Sequence, residues 1–461
     1  MKTFCCIFIF LLVVLQTVYC EQYRYVPCVI HVHSFYSDNG KMSIEQIAET
    51  ANSKKIKAVI FADHDIMKYD YGIWPLYKII HKQVVFDSVL RIGPGKYLSE
   101  ISRVQQKFPD LLLIPGVESS PYYYWSGSAL KKNLVLHDWH KHLLLAGLDK
   151  PRQYSNLPVL GNENNSGQFD FGIIFLIVLM LCAGAGLFYY KKSFGIIFMG
   201  ITLVVLIEYF PYKSLPYNQY NGNQGEKPYQ TVINYVNKTA PGTGMVFWAH
   251  PESPNYDKVF NTGIVSIQTR KYAESLLYTD GYTGFAYFQE GNKSVGRQGG
   301  IWDKVLNEYC NGARKSPVWA IGELDYRKEG FLGTYIDSVQ NILLMKKDEP
   351  VTLETVSWCI KSGNFYVINK PHTAKFIPLI TECAVVNGNF ILSISADDKS
   401  SHHIKIKLIN QSKVLNVYEK SIPVTLKVPL LRINGPHRLN YYRIEAVIDG
   451  NYELITNPKF F

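Results

Sequence analysis

Cysteine is scarce where it would carry chemistry. Of eight cysteines in 461 residues, Cys5, Cys6 and Cys20 fall in the first twenty positions and Cys182 in an apolar run. Cys28, Cys310, Cys359 and Cys383 remain, spaced unlike any zinc knuckle; they allow one or two disulfides and require none. A clustered Lys/Arg face is missing too. The formal net charge of +10 is spread along the chain, which suits anionic substrates or membrane surfaces and argues poorly for nucleic acid. With 47% apolar and 19% charged residues, little of the chain fits the composition of disorder. The length accommodates two or three domains.

Long apolar runs are present. Lys2, the stretch Phe4 to Leu15 and Val18-Tyr19-Cys20 before Glu21 have the layout of an export signal over residues 1–20. A lipoprotein reading of Cys20 ranks second, because Tyr19 is large where that processing wants a small residue. Residues 171–190, FGIIFLIVLMLCAGAGLFYY, contain no charge and suffice to cross about 30 Å of hydrocarbon. A second run, FGIIFMGITLVVLI, follows Lys191 and Lys192 and closes at Glu208. The expectation is a transmembrane hairpin over 169–210, with the two lysines cytoplasmic and both flanking segments on the other side. The soluble parts, 21–168 and 211–375, can then still form one domain outside the cytoplasmic membrane, periplasmic or extracellular.

The chemistry-bearing residues recur at strand ends. HVHSFYSD (31–38) sets two imidazoles at alternate positions, which share one face of a strand, and a carboxylate follows. Ser43 and Gln46 have capping-box spacing, and Ile44, Ile47, Ala48 and Ala51 continue at helical spacing. AVIFADHD ends in Asp63-His64-Asp65, LLLIPGVE in Glu118, MVFWAHPE brings His250 and VWAIGELDYR brings Asp325. Strands alternating with helices predict a parallel sheet or barrel whose chemistry gathers at the carboxyl ends of the strands. Any one of these residues has a structural explanation, such as capping or pairing. Together they would repel or desolvate one another unless a cation joins them, and imidazole with carboxylate suits zinc, manganese or iron.

In this order the motifs HVHSFYSD, ADHD, PGVE, HLLLAGLD, AHP and LDYR resemble the PHP family, the polymerase and histidinol phosphatase metallophosphoesterases. The resemblance covers about residues 25–370, apart from the apolar hairpin. It implies a distorted (β/α)7 TIM-like barrel, of class α/β, holding two or three divalent metal ions (Mn, Zn or Fe). The metal ligands it implies are His31, His33, Asp38, His64, Glu118, His142, His250 and Asp325. His137 and His140 are alternatives to His142. Arg327 stands where the family carries a histidine, and a guanidinium has no lone pair for a metal. Either Arg327 holds a substrate phosphate oxygen or the centre is impaired and the protein is a binding module. His372 is a distant candidate to replace the missing ligand.

The expected reaction is hydrolysis of a phosphomonoester or phosphodiester, with Glu118, Asp65 and Arg327 as the catalytic set and Glu118 bridging metals. Asp63, Asp65 and Glu252 are candidates to orient ligand histidines. A metal-dependent amidohydrolase is a further alternative, although it normally needs a bridging lysine. The substrate is expected to be a small phosphorylated molecule or a lipid head group. From about residue 376 the pattern alternates apolar and polar residues, as in FILSISA and HIKIKLIN, which predicts an antiparallel β-sandwich over 376–461. His402 and His403 are adjacent and so make a poor metal pair.

Overall fold

The computed structural model describes residues 23–162, 167–213, 215–288, 290–431 and 438–461; the expected signal over 1–20 lies outside them. The short apolar runs become strands, three of them buried throughout, as continuous rather than alternating patterns require. Ala58–Phe61 (β2), Leu143–Ala146 (β6) and Met245–Trp248 (β7) are buried at every residue. The helix Ile44–Ser53 (α1) starts at Ser43, whose side chain accepts from Gln46 N while the Gln46 side chain accepts from Ser43 N. It buries Ile44, Ile47, Ala48 and Ala51, and the helix Pro94–Lys107 (α2) buries Tyr97, Ile101 and Val104.

Two sheets carry the site. The first contains, side by side, Phe365–Asn369 (β11), Val339–Lys346 (β10), Tyr23–Val32 (β1), β2 and Leu112–Ile114 (β4). The second runs Trp319–Ile321 (β9), Gly284–Ala286 (β8), β7, β6, Gly116–Ser119 (β5) and Asp63–His64 (β3). Two seams join them. On one side β2 continues into β3, and β4 into β5, each across a single residue. On the other, the chain just beyond β9 meets β1: Leu324 N donates to Ile30 O (3.1 Å), Tyr326 N to His31 O (3.0 Å) and His33 N to Tyr326 O (2.8 Å).

The expectation of a parallel arrangement holds for β1–β2, β2–β4, β3–β5, β7–β8 and β8–β9. It fails at β10, which is antiparallel to β1 and β11, and at β6, which is antiparallel to both β5 and β7. Parallel neighbours need a crossover that carries the chain back along the sheet, usually a helix. Between β5 and β6 the chain makes only the short strands Tyr124–Ser126 and Leu134–His137, so it re-enters from the rim it left.

Phe171–Tyr190 (α3) and Lys192–Glu208 (α4) are consecutive helices packed on each other, with Gly184 against Met199. Most of their apolar side chains are exposed. Among the described residues, α3 alone is long and apolar enough to cross a membrane; α4 has 17 residues.

At the C-terminus, Pro378–Val386, Asn389–Ala396 and Val424–Pro429 form a three-stranded antiparallel sheet. It shares a buried core, including Phe390, Leu392, Ile406 and Ile444, with strands that extend the first sheet beyond β11. Buried Arg443 fastens this region to the helix Ile301–Cys310: its Nε and an Nη donate to the two oxygens of Asp303 at 3.0 and 3.1 Å. No disulfide forms among the described residues; Cys28, Cys310 and Cys359 are buried free thiols.

Candidate metal centre

β1 ends in a bulge. Its register against β2 shifts between Ile30 and Val32, and His31 has a φ of 74°. The two histidines thus reach the same place through a kinked strand rather than the regular one the alternate spacing predicts, with ring centroids 5.0 Å apart. His250 (φ 24°) and Asp325 (φ 44°) also occupy the left-handed region. Such conformations are disfavoured for residues with a Cβ and concentrate at functional sites.

Glu118 is the hub. Its Oε2 lies 3.4 Å from His31 Nε2, 3.4 Å from His33 Nε2 and 3.5 Å from His64 Nδ1. Its Oε1 lies 2.5 Å from His142 Nδ1 and 2.8 Å from His250 Nε2. Asp325 Oδ1 is 3.1 Å from His33 Nε2 and 3.9 Å from His31 Nε2. Asp38 stands at the edge, 4.0 Å from His64 Nε2 and partly exposed. All eight residues that the resemblance implies as ligands therefore lie in or beside one cluster.

β6 explains why His142 precedes its strand while the other residues of the cluster lie at or beyond the ends of theirs. Because β6 is reversed, its N-terminal end lies on the rim shared with its neighbours' carboxyl ends. Of the alternatives, His137 is stacked on Tyr124 and 2.7 Å from Ser126 Oγ. The His140 ring lies 5.9 Å from His142, and burial with His142 and His250 nearby depresses it to about pKa 3. His142 is the one that meets Glu118.

The donors suit a cation better than they suit one another. His31 Nε2 and His33 Nε2 face each other at 3.1 Å, so a proton or a metal must stand between two lone pairs. His64 Nδ1 is buried without a hydrogen-bond partner. Burial opposes charge on His31, His33, His64 and His250 and dominates at His64, with His33 and His142 adding repulsion, so the His64 pKa falls well below the usual value. At His31 burial is outweighed by Glu118 and Glu323, and its pKa is raised; His250 rises to about 9 for the same reasons. Burial likewise opposes charge on Glu118, but His142, His31 and His64 hold its pKa well below the ordinary range. One potential ligand atom from each of His31, His33 and Glu118 lies within 4.8 Å of the others, as does one from each of Glu118, His142 and His250.

Residues behind the cluster hold it in place. Glu323, which the sequence reading passed over, puts Oε2 3.0 Å from His31 Nδ1 and accepts from His250 N at 2.8 Å. Its signal was present: in GELD it stands two residues before Asp325. Tyr256 OH lies 2.7 Å from His250 Nδ1, and nothing in its local sequence marked it. Asp63 accepts from Ser34 N (2.6 Å), Ser34 Oγ (2.7 Å) and Ser37 Oγ (2.8 Å). Ser37 Oγ in turn lies 3.2 Å from His33 Nδ1, so Asp63 reaches His33 through a serine.

Other candidates sit differently from their expected roles. The Asp65 carboxylate accepts from Ile66 N (2.6 Å) and burial raises its pKa to about 7; its backbone N donates to Glu118 O at 3.0 Å. It braces the strand of Glu118 rather than reaching the cluster. Glu252 accepts from Lys293 N, Ser294 N and Ser294 Oγ, holding a loop. His372 is stacked on Tyr335, and no contact brings it to the site. Arg327 forks onto Asp325, with Nη2 to Oδ2 at 2.9 Å and Nε to Oδ1 at 3.4 Å. Both line a cleft of about 160 Å³ with Glu290 and Glu323. No lysine is found in the cluster among the described residues; nearby Lys141 pairs with Glu226 at 2.8 Å.

Residues 30–124 match the PHP domain model. That span contains His31, His33, Asp38, His64 and Glu118, the first five positions of the PHP motif series. No curated protein matches the chain in sequence. Among solved structures, a "putative metal-dependent phosphoesterase" from Bifidobacterium adolescentis is 14% identical, covering 66% of this chain and 89% of that one. Its TM-score is 0.28, and a likeness that low carries no weight beside the PHP match.

Proposed function

We propose that this chain is a metal-dependent phosphoesterase of the PHP type, hydrolysing a phosphomonoester or phosphodiester. One observation carries the reading: the Glu118 carboxylate has five imidazole nitrogens within 2.5 to 3.5 Å of its two oxygens. His31, His33, Asp325 and Glu118 would hold one divalent ion and Glu118, His142 and His250 a second, with His64 and Asp38 suited to a third. Mn, Zn and Fe all fit this donor set. When bound, such ions lower the pKa of water and offset the charge that builds on phosphoryl oxygens. Glu118 offers one oxygen to each group of histidines. Arg327 donors in the cleft beside Asp325 bind a phosphoryl oxygen, and Glu323, Tyr256 and Ser37 keep the rings turned inward. The two seams between the sheets support a distorted (β/α)7 barrel from segments 21–168 and 211–375, with a β-sandwich from 376–461.

The exposed apolar surfaces of α3 and α4 support a transmembrane hairpin over 169–210, Lys191 and Lys192 cytoplasmic, the barrel and sandwich outside, and export directed by 1–20. A second reading has one observation in its favour. Arg327 already occupies both oxygens of Asp325, which would suit a binding module with impaired turnover. Metal analysis of the full chain, with turnover of an aryl phosphate and an aryl phosphodiester before and after chelation, separates the two. Bound metal with turnover that chelation abolishes and Mn, Zn or Fe restores is expected. Bound metal without turnover on a broad phosphate panel would favour the binding module, and no bound metal would overturn both.

A further inference from the structure

Between Met67 and Asp87 the chain leaves the site's rim as a β-hairpin, Lys68–Ile73 paired with Leu76–Val85. Its tip is apolar and exposed: Trp74 is 74% accessible and Ile73 39%. Farther along, Ile79 and Ile80 are 44% and 48% accessible. Adjacent strand residues point to opposite faces, so the two isoleucines present apolar surface on both sides of the ribbon. The first strand rests on the protein, with Tyr69 and Tyr71 against Trp125, and Tyr77 at the start of the second is stacked on Tyr220; the outer stretch of the second strand has neither isoleucine covered.

Its anchorage is specific. Glu208, the last residue of α4 and only 8% accessible, accepts from Lys78 N at 3.1 and 3.0 Å and from Ile79 N at 3.0 Å. That fixes the apolar part of the ribbon to the end of the apolar helix pair opposite Lys191. Exposed Phe169, Phe171, Tyr209 and Phe210 stand at the same end, the composition of a membrane-interface belt.

We infer that the hairpin 68–85 is an interfacial foot, inserted among the head groups and upper acyl chains of the bilayer that α3 and α4 cross. This rests on the membrane reading of α3 and α4 given above. The occupant is a phospholipid surface because the exposed apolar residues continue directly from the apolar helices and are tied to them by Glu208. The base of the hairpin packs through Tyr69 on Trp139 (ring centroids 5.2 Å), and Trp139 O lies 3.3 Å from His142 Nε2. The foot therefore sets the mouth of the His/Glu cluster close to the head groups.

The experiment uses the full chain in phosphatidylcholine/phosphatidylglycerol vesicles. Trp74 and Trp358 are the exposed indoles; the other five are buried. In a Trp358→Phe chain, lipid brominated on the upper acyl carbons should quench emission, aqueous iodide should do so weakly, and Trp74→Phe should remove the lipid quenching. Retention of the protein in carbonate-washed membranes is measured on the same samples. Protein retained there, with Trp74 open to iodide and untouched by brominated lipid, would overturn the foot alone. Protein extracted by carbonate would overturn the membrane reading and the foot with it. An Ile79→Asp/Ile80→Asp chain should lose at least half of the lipid quenching while binding metal normally; unchanged quenching would count against the foot.

Discussion

Glu323→Gln is a near-isosteric change that should weaken metal binding without unfolding the chain. The carboxylate accepts from His250 N through Oε1 (2.8 Å) and faces His31 Nδ1 through Oε2 (3.0 Å). An amide cannot do both. If its oxygen stays with His250 N, its NH2 donates to His31 Nδ1, which places the His31 proton on Nε2, the atom that faces Glu118 and His33. A protonated nitrogen has no lone pair for a metal. If the amide flips, the buried His250 N–H loses its acceptor, at a cost of about 1–3 kcal/mol. Removing the partner that orients a ligand histidine typically lowers metal affinity by about 10–100-fold, or about 1.4–2.7 kcal/mol, and the two estimates agree. Chelator-buffered metal titration together with thermal melting tests this. Wild-type affinity in a variant that melts like wild type would refute the assignment of His31 as a ligand held in one tautomer by Glu323.

Arg327→Ala should raise KM for an aryl phosphate about tenfold or more, since charged hydrogen bonds contribute about 1.5–3 kcal/mol, with metal content unchanged; tighter metal binding without a KM change would favour the binding module. Gly116→Ala should destabilise the fold by about 1–3 kcal/mol and reduce bound metal, because a Cβ there would meet Phe61 O at 2.4 Å and Leu145 O at 2.7 Å; denaturant melts and metal analysis read both. His402 lies 2.7 Å from Asp449 Oδ2, and although burial lowers its pKa, Asp449 and Asp398 raise it overall above the ordinary 6.5. A raised folded-state pKa adds stability that is fully present below about pH 6.5 and is lost as pH rises through the higher folded value; His402→Gln should flatten that slope in pH-dependent melts.

The parts legible in the sequence were those with a local signature. The capping box at Ser43 and Gln46, the buried runs at 58–61 and 245–248, and the apolar stretch 171–190 each follow from composition or spacing. His31, His33, His64, Glu118, His250 and Asp325 were legible as a series, since each sits where an apolar run meets a His, Asp or Glu; His142 was reached only through the family resemblance. The reversal of β6 was not, because strand direction depends on how the chain returns and not on the strand's own residues. Asp63, Asp65 and Glu252 show a related limit. A buried carboxylate in a motif is equally suited to a histidine, a serine or a backbone N–H, and only the neighbours decide. Tyr256 and the two exposed isoleucines of the 68–85 hairpin had no local mark at all.

The glycine of PGVE links fold to chemistry. β5 lies between β6 and β3 in the second sheet, and at Gly116 the carbonyls of Phe61 and Leu145 approach too closely for any side chain. That close approach lets β5 leave β4 across one proline and enter the second sheet, two residues before Glu118. Glu118 then stands level with His64 on β3 and Leu144 on β6, where its two oxygens divide between the His31/His33/His64 and the His142/His250 groups. A residue one position earlier or later would face the opposite side of the sheet and could reach neither. The glycine, the seam and the Glu118 carboxylate are thus one geometric requirement, and moving the glutamate should be as damaging as removing it.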